Sequence, residues 1–169
     1  LVTTCGLTYF GHPGKDGDEE LGLHGRYSSI PARQVCDASG MRDGEYIIDV
    51  TGIVEETVLF GSKLRMIRRI TTKIGSKSLI IDDTVENLSS KPSPFTIMYH
   101  INFGFPLLDE DAEFFASSSK IEPYDEHSKG GLARWNRFEK PDPDWREQNF
   151  LHTMEGDKDG YAYAAIVNR

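Results

Sequence analysis

Cysteine is scarce in this sequence, and long apolar runs are missing. Its 169 residues include only two cysteines, Cys5 and Cys36, and neither has a CxxC or zinc-type spacing. Two such residues exclude a disulfide framework. No stretch approaches the roughly 20 apolar residues of a membrane-spanning helix, and no basic-then-apolar signal peptide opens the chain. We therefore expect a cytoplasmic protein with free thiols.

Basic charge is also in deficit. Nineteen Lys and Arg stand against 27 Asp and Glu, which gives a net charge of -8. A chain with this balance repels phosphate backbones and anionic lipid headgroups at long range. We expect neither nucleic-acid binding nor membrane binding. The basic run at residues 63–69 is the local exception, and its alternation indicates a strand with charged positions.

Helical periodicity is almost absent, and strand patterns dominate. No window of ten residues has apolar positions at helical spacing, whereas runs rich in Ile, Val and Thr recur between tight turns. Two segments, 11–33 and 123–148, lack such a pattern and are predicted as long loops. The predicted strands are 45–60 (with a bulge or bend at Gly52), 64–74, 78–86, 95–103, 114–117, 149–154 and 161–167. This pattern predicts an all-β protein, an antiparallel β-sandwich forming a single domain over residues 1–169.

Both ends of the sequence are apolar or strand-like. The chain starts at Leu1 inside an apolar run and without Met, and it stops just after the strand-like segment 161–167. Natural domains more often end in polar tails. We therefore expect a segment of a longer protein, in which the sandwich and its active site are incomplete.

The segment 95–104 is the clearest strand. Alternate side chains point to opposite faces, so Phe95, Ile97, Tyr99, Ile101 and Phe103 are predicted to face the core.

The other face of the same strand carries His100 and Asn102, about 7 Å apart by two strand rises. A His and an Asn side by side on a rigid strand can hydrogen-bond a polar ligand. By pattern alone, a single strand His is more often a surface or hydrogen-bonded structural residue.

A second histidine, His24, lies between glycines in the segment Leu21–Tyr27, two residues before Arg26. Gly22 and Gly25 allow close approach of the backbone to a ligand. An imidazole can donate or accept a proton near neutral pH, and a guanidinium offers a fixed fork of donors. A structural role for His24 is about equally compatible with this pattern. The sequence contains no P-loop, GxGxxG, HExxH, GxSxG or EF-hand pattern.

Two segments resemble a bacterial branch of the aldose 1-epimerase (galactose mutarotase-like) superfamily. They are Leu23-His24-Gly25-Arg26 and, 76 positions after His24, the segment Tyr99-His100-Ile101-Asn102-Phe103-Gly104-Phe105-Pro106-Leu107-Leu108-Asp109. Thr4–Leu7 and Ile30–Ala32 are also similar to that branch. The resemblance implies a large antiparallel supersandwich that binds a pyranose in a concave sheet.

The resemblance also implies roles for four residues. His100 matches the general acid toward the sugar ring oxygen, and His24 matches the histidine that holds and polarises the sugar there. Arg26 and Asn102 would contact the substrate. The family reaction needs no metal and no other cofactor.

One part of the family's machinery has no match. The family's general base is a glutamate near the C-terminus, often followed by proline, whereas the only Glu-Pro pair here is Glu122-Pro123, too soon after His100. The resemblance therefore implies that the base lies beyond Arg169.

Three functions stay open. The first is an aldose 1-epimerase-like isomerase that interconverts the anomers of a monosaccharide or a sugar derivative. Tyr27, Trp135 and Trp145 are candidate stacking surfaces, although core packing is the more common role for at least one of them. The second is a carbohydrate-binding module on the same fold without catalysis. The third is a metal-dependent sugar isomerase with His24, His100 and His152 as ligands, which is weakened by the lack of a His-x-His pair. The sequence names neither the sugar nor the oligomeric state.

Overall fold

A computed structural model describes residues 2–169, so the apolar start at Leu1 lies outside the described residues. The described chain contains thirteen strands and two short 3₁₀ helices, Tyr27–Ser29 and Ser128–Arg134. All pairings between these strands are antiparallel. The strands are β1 (Val2–Leu7), β2 (Gly14–Asp16), β3 (Glu19–Leu21), β4 (Arg33–Asp37), β5 (Gly40–Arg42), β6 (Glu45–Thr57), β7 (Lys63–Lys73), β8 (Ile80–Asn87), β9 (Thr96–Ile101), β10 (Glu113–Ala116), β11 (Ser118–Pro123), β12 (Phe150–Met154) and β13 (Ala164–Val167). The predicted all-β, antiparallel class is confirmed.

The chain divides into two compact units. The first ends at Asn102 and the second is Phe103–Arg169. Within the described residues, no helix is long and apolar enough to cross a membrane.

The first unit contains a five-stranded sheet in which β4, β6, β7 and β8 follow one another and β5 pairs with β6. The long β6–β7 hairpin organises it. Because side chains alternate along a strand, Val54 on β6 and Leu64 and Met66 on β7 reach the interior, where each is at least 93% buried. Gly52 pairs regularly with Arg68 of β7, and the irregularity predicted near Gly52 lies on its other side, where the register of β4 shifts between Arg33 and Cys36.

A two-stranded sheet, β1 with β9, also belongs to the first unit. Leu7 of β1 and Tyr27 complete a buried cluster with the β6–β7 residues, and Ile97 of β9 packs against that cluster. The predicted inward face of β9 is therefore confirmed at Ile97. The prediction is wrong for Phe95, Tyr99, Ile101 and Phe103, which are 44% to 49% exposed. Ile101 ends β9, Phe95 and Phe103 lie outside that strand, and the Tyr99 hydroxyl is directed to Asp83.

A partly buried ion pair links the strands of the first unit. Arg68 of β7 donates two hydrogen bonds to Asp83 of β8, at 2.8 and 2.7 Å, and a third to the hydroxyl of Thr4, at 2.7 Å. The Tyr99 hydroxyl donates to the same carboxylate at 2.6 Å. Burial and the hydrogen bond to Asp83 raise the pKa of Tyr99 to about 12. This network therefore ties β1 and β9 to β7 and β8.

The second unit consists of two strand pairs, β10 with β13 and β11 with β12. Aromatic rings replace an aliphatic core there: Phe114, Trp135 and His152 contact one another edge to face, with centroids 5.0 to 6.0 Å apart. Such edge-to-face contacts stabilise aromatic clusters beyond the area that they bury.

Candidate active site

His100 lies on β9, where its Cα is paired with that of Thr3 on β1. Alternation along the strand places its side chain opposite Tyr99, which points toward Asp83. The imidazole is half-buried. The strand pairing fixes its backbone, which is the rigid placement that a catalytic group needs.

His24 is held by backbone contacts in a loop. Its N–H donates to the Gly11 carbonyl at 2.8 Å, and its own carbonyl accepts from the N–H of Gly6 at 3.2 Å. The backbone of His24 is left-handed, with φ of 61°. This conformation is uncommon outside glycine and is worth attention at a candidate site.

Gly25 allows this loop to lie directly against β1. It forms a bridge to Gly6, and its φ is 83°. A Cβ at position 25 would overlap the carbonyl oxygens of Gly6 and Tyr9. Only a residue without a side chain therefore fits here, and that fit places the neighbouring His24.

The two histidines meet although 76 positions separate them in the sequence. Their ring centroids are 5.2 Å apart and the rings are tilted by 58°. The Nδ1 of His24 is buried and has no hydrogen-bond partner among the described residues. Buried polar atoms normally have a hydrogen-bond partner, so a buried imidazole nitrogen without one is unusual.

Arg26 lies beside this pair and is engaged by the protein itself. Its guanidinium pairs with Glu19, lies over the Tyr9 ring at 5.6 Å and approaches Glu56 at 3.9 Å. The hydrogen bond to Glu19 raises the pKa of Arg26. Arg26 is therefore a fixed positive charge next to His24.

Glu56 is the residue of this region that the sequence reasoning missed. Only 2% of it is exposed, and it accepts hydrogen bonds from the backbone N–H of Leu7, at 2.8 Å, and from the hydroxyl of Thr8. A signal was present, because Glu56 shares the inward parity of Val54 on β6. A carboxylate at an inward position is rare unless it is paired.

Asn102 lies just outside β9. It follows directly on the end of β9 at Ile101 and is exposed. It lies two residues from His100 along the chain, as the sequence requires, but outside the strand pairing that fixes His100.

The candidate stacking residues fall into different environments. Tyr27 is 7% exposed and belongs to the core of the first unit, so its predicted role as a stacking surface is wrong. Trp135 and Trp145 both line a cavity of about 840 Å³ in the second unit. Trp145 is half exposed there, whereas Trp135 packs on Phe114 and His152.

His152 and Glu122, the other groups considered in the sequence, are both in the second unit. The Nδ1 of His152 is 2.9 Å from the Ser118 hydroxyl, and burial lowers the pKa of its imidazole. Glu122 forms a 2.8 Å ion pair with Lys120. Over residues 2–169, no group of three or more His, Cys, Asp or Glu side chains is arranged to hold a metal ion.

Comparison with known proteins places this geometry in context. A crystal structure from Klebsiella pneumoniae subsp. pneumoniae MGH 78578, described as that of a "putative aldose 1-epimerase", matches with a TM-score of 0.93 and 30% sequence identity. The match covers 99% of this chain and 43% of that protein, so this chain spans less than half of its length. No curated protein matches the chain.

The structural match supports the aldose 1-epimerase-like fold that the two sequence segments indicated. One family model, described as "Domain of unknown function (DUF4432)", matches residues 1–169. The chain therefore belongs to the DUF4432 family.

Proposed function

We propose that this chain is the histidine-bearing part of an aldose 1-epimerase-like isomerase that interconverts the anomers of a monosaccharide or a sugar derivative. The observation that carries the proposal is the pair of imidazoles, 5.2 Å apart, with an unpartnered Nδ1 on His24. The aldose 1-epimerase-like fold of the Klebsiella protein supports the same class of reaction.

The reaction interconverts ring-closed anomers through an open-chain aldehyde. A base removes the proton of the anomeric hydroxyl while an acid protonates the ring oxygen, and the C1–O5 bond breaks. Rotation about the C1–C2 bond and reversal of both proton transfers close the ring on the other face. No net proton, electron or atom is gained or lost.

The two histidines take different parts in this scheme. His100, fixed on a strand, donates the proton to the ring oxygen, because an imidazole can give and recover a proton near pH 7. His24 donates a hydrogen bond at the ring oxygen and anomeric region. Arg26 and Asn102 contact sugar hydroxyls. We propose a glutamate as the general base, as the family resemblance implies, and assign that role to no residue of this sequence.

Anomer exchange measured by NMR tests this proposal. The full-length protein should speed equilibration of α and β anomers for at least one sugar of a panel. His100→Ala should lower the rate by at least about 100-fold, as expected for loss of a general acid. His127→Ala, which changes an imidazole of the second unit, is the matched control and should keep the rate. Unchanged exchange by the His100 variant would contradict the proposal.

Sugar binding without catalysis is the second candidate, and the cavity of the second unit favours it. About 840 Å³ with the half-exposed Trp145 on its wall suits a sugar ring. Sugar affinity without any anomer exchange in the full-length protein would select this alternative.

A further inference from the structure

We propose that Glu56 is a positioning residue, which holds the loop of His24 and Arg26 in place for the sugar. The inference rests on the proposed function for its catalytic consequence, but its structural part is testable without catalysis. Glu56 belongs to β6, and the two residues that it would position belong to a loop 30 residues or more before it in the sequence.

The first step is the burial of the carboxylate. Glu56 is 2% exposed, yet a carboxylate removed from water is costly unless it is hydrogen-bonded or paired. Its Oε2 accepts from the backbone N–H of Leu7 at 2.8 Å, and its Oε1 accepts from the hydroxyl of Thr8. Both carboxylate oxygens therefore accept hydrogen bonds, one from the last residue of β1 and the other from the residue after it.

The second step runs from β1 to the loop. The backbone of Gly6, next to Leu7, accepts from the N–H of Arg26 at 3.1 Å and donates to the carbonyl of His24 at 3.2 Å. Residues 6–8 are therefore fixed by Glu56 on one side and carry the His24 loop on the other. A shift of Leu7 would displace the loop through these two backbone hydrogen bonds of Gly6.

The third step is charge. The guanidinium of Arg26 is 3.9 Å from the Glu56 carboxylate, in addition to its pairing with Glu19. A negative charge that is nearly excluded from water attracts Arg26 more strongly than an exposed one does. Glu56 therefore acts on the loop twice, through the backbone of β1 and through the side chain of Arg26.

Glu55 offers a matched control one residue earlier on the same strand. It also contacts arginines, with hydrogen bonds from Arg65 at 2.8 Å and from Arg33. Adjacent strand residues point to opposite faces, so Glu55 contacts neither β1 nor the His24 loop through these bonds. Glu55→Gln removes a carboxylate of the same strand without touching the proposed pathway.

The experiment is a comparison of Glu56→Gln and Glu55→Gln in the full-length protein, read by imidazole NMR and by kinetics. Glutamine keeps the shape of Glu56 but offers one acceptor oxygen where two donors need one each. We expect the His24 imidazole signals, assigned by their loss in His24→Gln, to shift in the Glu56 variant and not in the Glu55 variant. We also expect kcat to fall about 10- to 100-fold with a smaller change in KM, because misplacement of a catalytic group by about 1 Å has this effect. Glu56→Asp keeps the negative charge, so its kcat should lie between that of Glu56→Gln and that of Glu55→Gln.

Thr8→Val keeps the inference testable if Glu56→Gln fails to fold. It removes one donor to Glu56 and should shift the same His24 signals by a smaller amount. Unmoved His24 signals in a folded Glu56→Gln or Thr8→Val protein overturn the inference. A shifted His24 in a protein without any anomer exchange supports the positioning role and rejects the proposed function, so the two failures are distinguishable.

Discussion

The two units of the chain hold themselves together by different means. Seven apolar residues are buried among residues 2–169; six of them, including Leu7, Leu64 and Met66, lie in the first unit, and one, Ala112, lies in the second. The second relies on the Phe114, Trp135 and His152 rings. The first unit also has the wider sheet, because it contains a five-stranded sheet whereas the sheets of the second unit have two strands each.

This difference separates two kinds of site. The candidate histidine pair lies in the unit with the aliphatic core and the longest strands, β6 and β7. The second unit offers a cavity whose wall includes the half-exposed Trp145. Proton transfer needs accurate placement, whereas ring stacking tolerates looser geometry. Substitutions in the two units should therefore affect different observables.

The largest effect is expected from the core of the first unit. Leu64→Ala should lower the free energy of unfolding by about 3 kcal/mol, because it removes a buried side chain and leaves a cavity. Leu151→Ala is the matched change on β12 of the second unit, where leucine is 56% exposed, and should cost about 0.5 kcal/mol or less. Urea unfolding measures both. Equal losses would break the comparison between the units.

The second-largest loss of stability is expected from the ion pair between Arg68 and Asp83 in the first unit. Arg68→Met leaves the carboxylate of Asp83, whose side chain is only 5% exposed, without its cation. We expect a loss of about 2 kcal/mol, less than for a fully buried pair because Arg68 keeps some contact with water. Arg65→Met, on the same strand with more exposed partners, should cost about 0.5 kcal/mol. A larger loss for Arg65 than for Arg68 would reverse this ranking.

A smaller, pH-dependent effect should come from Tyr99. Its pKa rises from the ordinary 10.0 to about 12 in the folded chain. A raised pKa contributes stability that is fully present below pH 10 and is lost as pH rises toward 12. Unfolding followed between these pH values should show a decline that Tyr99→Phe reduces. An identical decline in both proteins would assign the alkaline loss to other groups.

The smallest effect on stability is expected at Trp145. Because the ring is half exposed, Trp145→Ala should change the free energy of unfolding by about 0.5 kcal/mol or less. The two tryptophans of the chain both line the same cavity, so their fluorescence reports on it directly. If sugar enters this cavity, titration should change the fluorescence of the unaltered protein and of His100→Ala, and the Trp145 variant should lose most of the response. A response that His100→Ala abolishes would move sugar binding to the histidine pair.

The sequence predicted the class of fold well because periodicity is a local signal. The alternation of Leu64, Met66 and Ile70 against arginines predicted β7 within one residue. Strands β4 (RQVCD) and β11 (SSKIEP) escaped prediction because their sequences lack a run of alternating apolar residues, whereas the shorter β10 (EFFA) was predicted. The loop predicted at 11–33 contains the β2–β3 hairpin, whose three-residue strands are too short for a pattern to emerge. The single-domain assignment and the cellular location stay predictions.

The site was harder to derive than the fold. Nothing in the local pattern brings His24 near His100; the resemblance suggested the pairing, and the β1–β9 ladder with the Gly6–Gly25 bridge achieves it. These are contacts between distant segments, which periodicity cannot encode. Glu56 was missed because a charged residue in a strand is normally assigned to a solvent-facing position. The catalytic roles of His24, His100, Arg26 and Asn102 stay predictions until activity is measured.

Gly25 has a consequence for how variation at this site would be interpreted. A Cβ here would overlap two carbonyl oxygens, so every other amino acid at position 25 would force the backbone of this loop to move. A complete mutational scan scored by activity would mark Gly25 as intolerant as His24 itself. A residue with no functional group would then pass for part of the chemistry, although its contribution is the space that it leaves empty.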